Sequence, residues 1–226
     1  MTFEEIRGIV WDLDNTLIAS QDVFSDVLSE ILAETEYTMP TAEVIAQHYH
    51  GSLSETIASV LRLTDTTEVQ TLRAAFESRQ LDYYAGDIHH HIYPDALSLA
   101  LKAANKDMHQ LLVTNREQSS TGHASPRAIV ERTLLAQCIA EVHPGDEVSH
   151  RKPDSRALGD WAVRHNLLPS EIVVIGDQAV DAQLAFNVGA HAILVSRNGH
   201  IPHLEKLSDQ GSSKLVVVPN LHDIHF

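Results

Sequence analysis

Cysteine and long apolar runs are the two features that this sequence most plainly lacks. Cys138 is the one cysteine in 226 residues, so no intrachain disulfide can form and the main mark of an oxidising compartment is absent. No apolar run approaches the roughly 20 residues that a membrane-spanning helix needs. Residues 1–8 lack the basic and apolar regions of a secretory signal. We therefore expect a cytoplasmic protein with no membrane association.

Basic residues are also scarce. The chain has 16 lysines and arginines against 31 aspartates and glutamates, a formal charge of −15. Such a surface repels a phosphate backbone, which makes a nucleic acid polymer a poor partner. If the substrate is a small anion, its binding must depend on a local positive site formed by a metal ion or a few cationic side chains.

Short apolar runs alternate with helical patterns over most of the chain. The alternation predicts a Rossmann-like α/β core with a parallel sheet, right-handed crossovers and a site at the carboxyl ends of the strands. The predicted strands contain Ile9–Trp11, Leu111–Val113, Ile172–Ile175, Ala192–Val195 and Leu215–Val218. The predicted helices between them are Ala96–Ala104, Ser155–Asn166 and Val180–Val188.

One long segment interrupts this alternation. Val23, Val27 and Ile31 repeat at intervals of four, as on one face of a helix, and strand-forming residues are sparse as far as residue 84. Breaks in the pattern indicate about four helices. We therefore predict an inserted α-helical subdomain at residues 18–89, with the α/β core formed by residues 1–17 and 90–226.

Two carboxylates, Asp12 and Asp14, follow the first predicted strand with one residue between them. If the strand continued, both side chains would lie on one side of it. At about 5 Å and an effective dielectric constant near 20, their repulsion is on the order of 3 kcal/mol, which a divalent cation would relieve. The alternative for this pair alone is a turn in which the side chains accept backbone hydrogen bonds.

Three later segments end in polar residues suited to the same site. Thr114-Asn115 offers a hydroxyl and an amide to phosphoryl oxygens, and Lys152 precedes Pro153, which is suited to begin a helix. Asp177 and Asp181 lie four residues apart around a predicted helix start. Each segment alone has a simpler interpretation, namely a strand cap, a solvated lysine or helix-capping carboxylates.

The series Asp12-x-Asp14-x-Thr16, Thr114, Lys152-Pro153 and Gly176-Asp177-x-x-x-Asp181 resembles the four signature motifs of the haloacid dehalogenase superfamily. The resemblance runs from the first strand to near the end of the chain. The helical segment at residues 18–89 is similar to the cap of phosphoglycolate phosphatase-like members. Asn15 departs mildly from the pattern, since many family phosphatases have glycine there.

The resemblance implies that Asp12 is the nucleophile that takes the phosphoryl group of a small phosphorylated metabolite. Asp14 would be the general acid and base, and its presence favours phosphate chemistry over dehalogenation. Lys152 would act in catalysis and, with Thr114 and Asn115, bind the substrate.

The resemblance also implies a Mg²⁺ cofactor. Its ligands would be the carboxylates of Asp12 and Asp177, the main-chain carbonyl of Asp14, and Asp181 either directly or through water, a set that suits a hard cation.

Several questions stay open at this point. A phosphomutase of the β-phosphoglucomutase type shares every motif, and a catalytically silent binding protein could keep the fold. The turn at Gly51 is either a substrate loop or a helix break, and His89–His91 is interpreted as a solvated loop. Arg116 is interpreted as a surface residue, with contact to a substrate anion as the alternative. The phosphate ester and the choice between monomer and homodimer are not predicted.

Overall fold

The core of the protein is a six-stranded parallel sheet. A computed structural model describes residues 5–49, 52–86, 88–118, 122–197, 199, 201, 204–207 and 214–226. The strands are β1 (Gly8–Trp11), β2 (His109–Val113), β3 (Glu141–His143), β4 (Ile172–Gly176), β5 (His191–Val195) and β6 (Leu215–Val218). They lie in the order β3-β2-β1-β4-β5-β6, with every neighbouring pair parallel. The predicted α/β class and five of these strands are confirmed.

Hydrophobic alternation explains why β1 occupies the centre of the sheet. All four of its residues are buried. Ile9 and Trp11 pack into one hydrophobic cluster and Val10 into another, because successive side chains of a strand point to opposite faces. Both faces of the sheet are therefore covered, as expected for a parallel sheet.

Four helices accompany the strands: α5 (Pro94–Ala104), α6 (Pro126–Glu131), α7 (Arg156–Arg164) and α8 (Ala179–Val188). Helices α5, α7 and α8 confirm the predicted helices with small shifts of their ends. The expectation that Pro153 begins a helix is wrong, since α7 begins three residues later, at Arg156. The stretch after Asn115 contains a 3₁₀ turn at Gly122–Ala124 and then α6, and its residues 119–121 lie outside the described part.

The segment between β1 and β2 contains the four expected helices. They are α1 (Ser20–Leu32), α2 (Ala42–His48), α3 (Leu53–Leu61) and α4 (Thr66–Ala85). Phe24 of α1 lies 5.1 Å from Phe76 of α4 and 5.3 Å from Tyr49, measured between ring centroids, so aromatic side chains join these helices. The boundaries of the cap at residues 18 and 89 stay a prediction.

The chain leaves the sheet for helices α1–α4, here called the cap helices, and returns to it through two connections that lie side by side. Ile18 and Ile92 form an antiparallel bridge. Ala19 donates its N–H to the carbonyl of His91 at 2.7 Å, and Tyr93 donates its N–H to the carbonyl of Leu17 at 2.9 Å. His89–His91, expected in a solvated loop, instead belongs to a 3₁₀ helix at Ile88–His91, although His89 and His90 are exposed.

Gly51, where the sequence left open a substrate loop or a helix break, lies outside the described residues. Over the part of the chain that the structure describes, no helix combines the length and apolarity that crossing a bilayer requires.

Candidate active site

Sheet topology brings the polar residues after three strands to one edge. Asp12 follows β1, Thr114 follows β2 and Asp177 follows β4, and these three strands are parallel neighbours. The backbone N–H of Asp12 still donates to the carbonyl of Ile175 on β4, at 2.8 Å. The carboxyl ends of parallel strands open at the same edge, so residues far apart in sequence face one site.

Lys152 joins two of the carboxylates. Its Nζ lies 2.5 Å from Asp12 Oδ1 and 2.6 Å from Asp181 Oδ1, and all three side chains are at most 8% exposed. Burial alone would lower the pKa of Lys152, but the two carboxylates outweigh it and raise the pKa. The lysine is therefore a fixed positive charge at the base of the site.

Asp181 reaches this position because Gly176 has no side chain. A Cβ at Gly176 would lie 2.2 Å from the Asp181 carboxylate, far inside van der Waals contact. Asp181 is in the first turn of α8, and its Oδ2 accepts a hydrogen bond from the N–H of Gln178 at 3.1 Å. Asp181 thus has two partners, a helix end through one oxygen and Lys152 through the other.

Asp12, Asp177 and Asp181 form a compact buried acidic group. Each offers one carboxylate oxygen within 4.8 Å of the others. Burial and the neighbouring carboxylates Asp181 and Asp14 raise the pKa of Asp12 to about 7 even though Lys152 opposes the shift. Burial, followed by Asp12 and Asp181, raises the pKa of Asp177 well above its ordinary range. Three hard oxygen donors that are costly to ionise together fit a divalent cation such as Mg²⁺.

Asn15 adopts a left-handed backbone conformation in the turn after Asp14. Its φ is 55°, a left-handed value that asparagine tolerates better than most residues. Its Oδ1 accepts a hydrogen bond from the N–H of Gln21 at 2.9 Å, and its side chain also hydrogen-bonds Asp177. Asn15 therefore fits the backbone of this turn and links the turn to the acidic group.

Thr114 and Asn115, the predicted substrate-binding residues, have different hydrogen-bond partners. Thr114 is buried, and its Oγ1 accepts a hydrogen bond from the N–H of Arg116 at 3.1 Å, which leaves its O–H available to donate. The Asn115 side chain accepts from the N–H of Lys152 at 2.9 Å and donates to the Lys152 carbonyl at 3.5 Å. The observed contacts of Asn115 thus hold the backbone of Lys152.

Arg116 was expected on the surface, and that expectation is wrong. Its side chain is 13% exposed and forms an ion pair with Asp14. Its guanidinium also lies over the ring of Tyr84, 5.4 Å from the centroid. Spacing offered one signal for this contact, because Arg116 lies two residues beyond the Thr114 position at a strand end.

Arg197 is a second residue that the sequence did not reveal. Its Nε and Nη2 donate to the carbonyls of Asn15 and Thr16 at 3.2 and 3.1 Å, and Nη1 donates to Asp95 at 3.0 Å. Its guanidinium stacks 3.6 Å from the ring centroid of Tyr93. Arg197 therefore braces the turn that follows Asp14, with no charge directed at the carboxylates of the site.

A cavity of about 550 Å³ opens over the acidic group. Its floor comes from the sheet edge, including Asp12 and Thr114, and its other walls come from the cap helices, including Tyr49 and Phe76. Reacting groups and cap side chains therefore share one chamber that is large enough for a small metabolite.

Comparison with curated proteins finds relatives of similar length. The chain is 25% identical over 215 residues to a phosphoglycolate phosphatase of Aliivibrio fischeri, with 92% of this chain and 90% of the relative covered. It is 24% identical over 210 residues to a phosphoglycolate phosphatase of Escherichia coli K12, with 84% and 81% covered.

Solved structures share the fold. A predicted phosphoglycolate phosphatase from Haemophilus somnus 129PT superimposes with a TM-score of 0.74 at 15% identity, with 97% of this chain and 96% of that chain covered. CbbY from Rhodobacter sphaeroides, in complex with phosphate, gives a TM-score of 0.65 at 15% identity, with 96% of both chains covered.

The model of one protein family matches residues 9–195 of this chain, and its description is haloacid dehalogenase-like hydrolase. The matched region begins in β1 and ends with β5, so it contains the acidic group, Lys152 and the cap helices. Because the match covers well over half of the sequence, the chain belongs to the haloacid dehalogenase-like hydrolase family.

Proposed function

We propose that the protein is a Mg²⁺-dependent phosphatase that hydrolyses a small-molecule phosphate monoester through an aspartyl-phosphate on Asp12. The observation that carries the proposal is the buried contact of Asp12 with Lys152, beside Asp177 and Asp181 at the floor of the cavity. The relatives named phosphoglycolate phosphatase support phosphate-ester chemistry.

The acidic group supplies the metal site. Asp12 and Asp177 would hold Mg²⁺ through carboxylate oxygens, with the main-chain carbonyl of Asp14 and, directly or through water, Asp181 completing the set. Mg²⁺ bound there supplies positive charge that offsets the negative charge spread over the phosphoryl oxygens. The raised pKa values of Asp12 and Asp177 are a reason to expect that ionisation of the site and metal binding accompany each other.

In the first half of the reaction, an Asp12 oxygen bonds to phosphorus while the bond from phosphorus to the ester oxygen breaks. Lys152 keeps Asp12 ionised beside an incoming anion, and the Thr114 hydroxyl donates to a phosphoryl oxygen. Asp14 gives its proton to the departing alkoxide, which leaves as an alcohol.

In the second half, a water oxygen attacks the phosphorus of the aspartyl-phosphate. Asp14 takes the proton of that water, the bond from phosphorus to the Asp12 oxygen breaks, and inorganic phosphate leaves. Both residues then regain their starting states, so one carboxyl serves as acid and base in turn. The cap walls of the cavity would limit the entry of water during the first half.

Two alternatives differ in outcome. A phosphomutase would return the phosphoryl group to a second hydroxyl of a sugar phosphate instead of to water. A catalytically silent binding protein would have no need of so many buried charges at one place, since uncompensated buried charges are costly. The buried pairing of Lys152 with Asp12 and Asp181 therefore favours an enzyme.

The test is phosphate release from a panel of phosphorylated metabolites, with Mg²⁺ and with a chelator, and Asp12→Asn as the control variant. We expect metal-dependent release by the native chain and none by Asp12→Asn. No release from any ester would refute the phosphatase proposal, and turnover that requires a sugar bisphosphate would favour the mutase. Cytoplasmic location stays a prediction, and the choice between monomer and homodimer stays open.

A further inference from the structure

The guanidinium of Arg116 is almost fully occupied by the protein itself. Nε donates to Asp14 Oδ2 at 3.2 Å, and Nη2 donates to Asp14 Oδ1 and, at 3.4 Å, to the hydroxyl of Tyr84. Nη1 donates to the carbonyl of Ala124 at 3.0 Å. A guanidinium has five N–H groups, so a single one is left for another partner. An arginine kept for a substrate anion would instead present its paired nitrogens to the cavity.

The contact between Arg116 and Asp14 is bidentate, and it involves the carboxyl that protonates the leaving group. Two parallel hydrogen bonds fix the plane of a carboxylate as well as its position. Tyr84, at the end of α4, and the carbonyl of Ala124 hold the guanidinium from the other side. Asp14, whose side chain is 25% exposed, thus has its orientation set by a better-buried neighbour.

The other cations that line the cavity are also paired with carboxylates, although only Lys152 is buried, since the side chains of Arg73 and Arg151 are 44% and 50% exposed. Arg73 Nε lies 2.8 Å from Glu77 Oε1, Arg151 forms an ion pair with Glu117, and Lys152 contacts two carboxylates. Within the described lining, each cation therefore has a carboxylate partner from the same lining. A second substrate anion would have to displace one of those partners.

The charge of the lining is also negative. Seven carboxylates and four cationic side chains face the cavity among the described residues. One divalent ion and the proton that Asp14 carries as the general acid together cancel this excess of three negative charges, and the phosphoryl group then adds its own. A carboxylate on the leaving group would be desolvated beside like charges, with no unpaired cation among the described lining residues.

We propose that Arg116 is a positioning residue for Asp14, and that the leaving-group end of the cavity takes an uncharged alcohol in preference to a carboxylate. The inference rests on the proposed phosphatase function and narrows its substrate class. It also separates this chain from the substrate named for its phosphoglycolate phosphatase relatives, since glycolate is a carboxylate.

A matched pair of esters tests the substrate class. 2-Hydroxyethyl phosphate and 2-phosphoglycolate are similar in size, and the second carries a carboxylate where the first carries a hydroxymethyl group. We expect kcat/KM of the native enzyme to be at least about tenfold higher for 2-hydroxyethyl phosphate, because the carboxylate of phosphoglycolate would have to displace a carboxylate from its cation and lie beside like charges. Equal values, or a preference for phosphoglycolate, would overturn the substrate class.

Arg116→Gln tests the positioning role through the division between kcat and KM. A misplaced catalytic group costs on the order of 100-fold in rate, so we expect kcat to fall by about that factor with both esters while KM changes by less than about threefold. Arg116→Lys keeps the charge and is expected to recover part of kcat. A rise in KM confined to phosphoglycolate would overturn the positioning role, because it would identify Arg116 as a substrate-anion site.

Arg156→Gln is the matched control. Arg156 binds Asp154 through Nε and Nη2 at 2.9 and 2.8 Å, the same bidentate geometry, on an exposed part of the chain. Its kcat and KM are expected to equal those of the native enzyme. If Arg116→Gln behaves like Arg156→Gln, the positioning role is wrong while the phosphatase function stands. If the native enzyme hydrolyses no phosphate ester, the function itself has failed.

Discussion

Lys152 Nζ lies 2.6 Å from Asp181 Oδ1, and this buried contact directs the lysine toward Asp12, the proposed nucleophile. The side chains of Lys152 and Asp181 are 4% and 2% exposed. An ammonium on a flexible four-carbon chain has many positions available. Asp181 restricts them, so the positive charge stays at the place where a phosphoryl group would meet the nucleophile.

Lys152→Met removes that charge with little change in side-chain length. We expect kcat to fall by about 100- to 1,000-fold, the usual cost of losing one preorganised electrostatic group, with a smaller change in KM. Two buried carboxylates also lose their partner, a loss of about 3–5 kcal/mol in the free energy of unfolding. Steady-state kinetics and thermal unfolding measure both effects, and near-normal kcat in the variant would contradict the assigned role.

Gly176→Ala tests the close approach of β4 and Asp181. The added methyl would lie 2.2 Å from the Asp181 carboxylate, so Asp181 has to move away from Lys152. We expect a large loss of kcat and a lower melting temperature. Gly159→Ala is the control, because nothing lies within 4 Å of a Cβ there and alanine favours a helix by about 1 kcal/mol. Equal behaviour of the two variants would contradict the proposed packing.

The fold was largely predictable because its strands are buried on both faces. Val173, Val174 and Ile175 are almost wholly inaccessible to solvent, and such continuous apolar runs stand out in a sequence. Strand β3 was missed for the opposite reason, since Glu141–His143 is only half-buried at the edge of the sheet and contains two polar residues.

The site was predictable where strand ends determine it. Asp12, Thr114 and Asp177 were recognisable because topology alone brings such ends together. Arg116 and Arg197 were not, because their contacts depend on where long side chains point after the fold has formed. Arg197 in particular reaches Asn15, 182 positions away in the sequence, and no local pattern indicates such a contact.

Metal binding and pH are expected to be linked through Asp12. Its pKa is about 7 in the folded chain against an ordinary value of 3.8, so the folded state holds a proton that the unfolded state has lost between these pH values. Stability of the metal-free chain therefore falls as pH rises from about 4 to 7. Mg²⁺ replaces that proton, and it should stabilise the chain more at pH 8 than at pH 5.5.

Thermal unfolding with Mg²⁺ and with a chelator, at both pH values, checks this linkage. The quantity of interest is the difference in melting temperature between the two solutions, because titrating groups away from the metal site affect both equally. Asp177→Asn is expected to reduce the difference at pH 8. An equal stabilisation by Mg²⁺ at both pH values would show that Asp12 is not the linked group.

Arg197→Met is expected to loosen the turn after Asp14 without removing a contact to the acidic group of Asp12, Asp177 and Asp181. Loss of the donors to Asn15 and Thr16 should weaken Mg²⁺ affinity by about 10-fold, within the range of 10- to 100-fold for outer-shell partners of a metal site. Isothermal titration with Mg²⁺ measures the change without reference to turnover. Unchanged affinity together with a lower melting temperature would limit Arg197 to a structural role.

The two chain connections that join the sheet to helices α1–α4 lie side by side, and this has an evolutionary consequence. Leu17 and Tyr93 are hydrogen-bonded neighbours, so the chain leaves the sheet and returns to it at one point. A few residues could close that gap in place of the 75 between them, and a different insertion could begin and end there without altering any strand. New substrate ranges can therefore arise by exchange of the helical segment between Leu17 and Tyr93. The proposed catalytic residues at the edge of the sheet would be inherited unchanged.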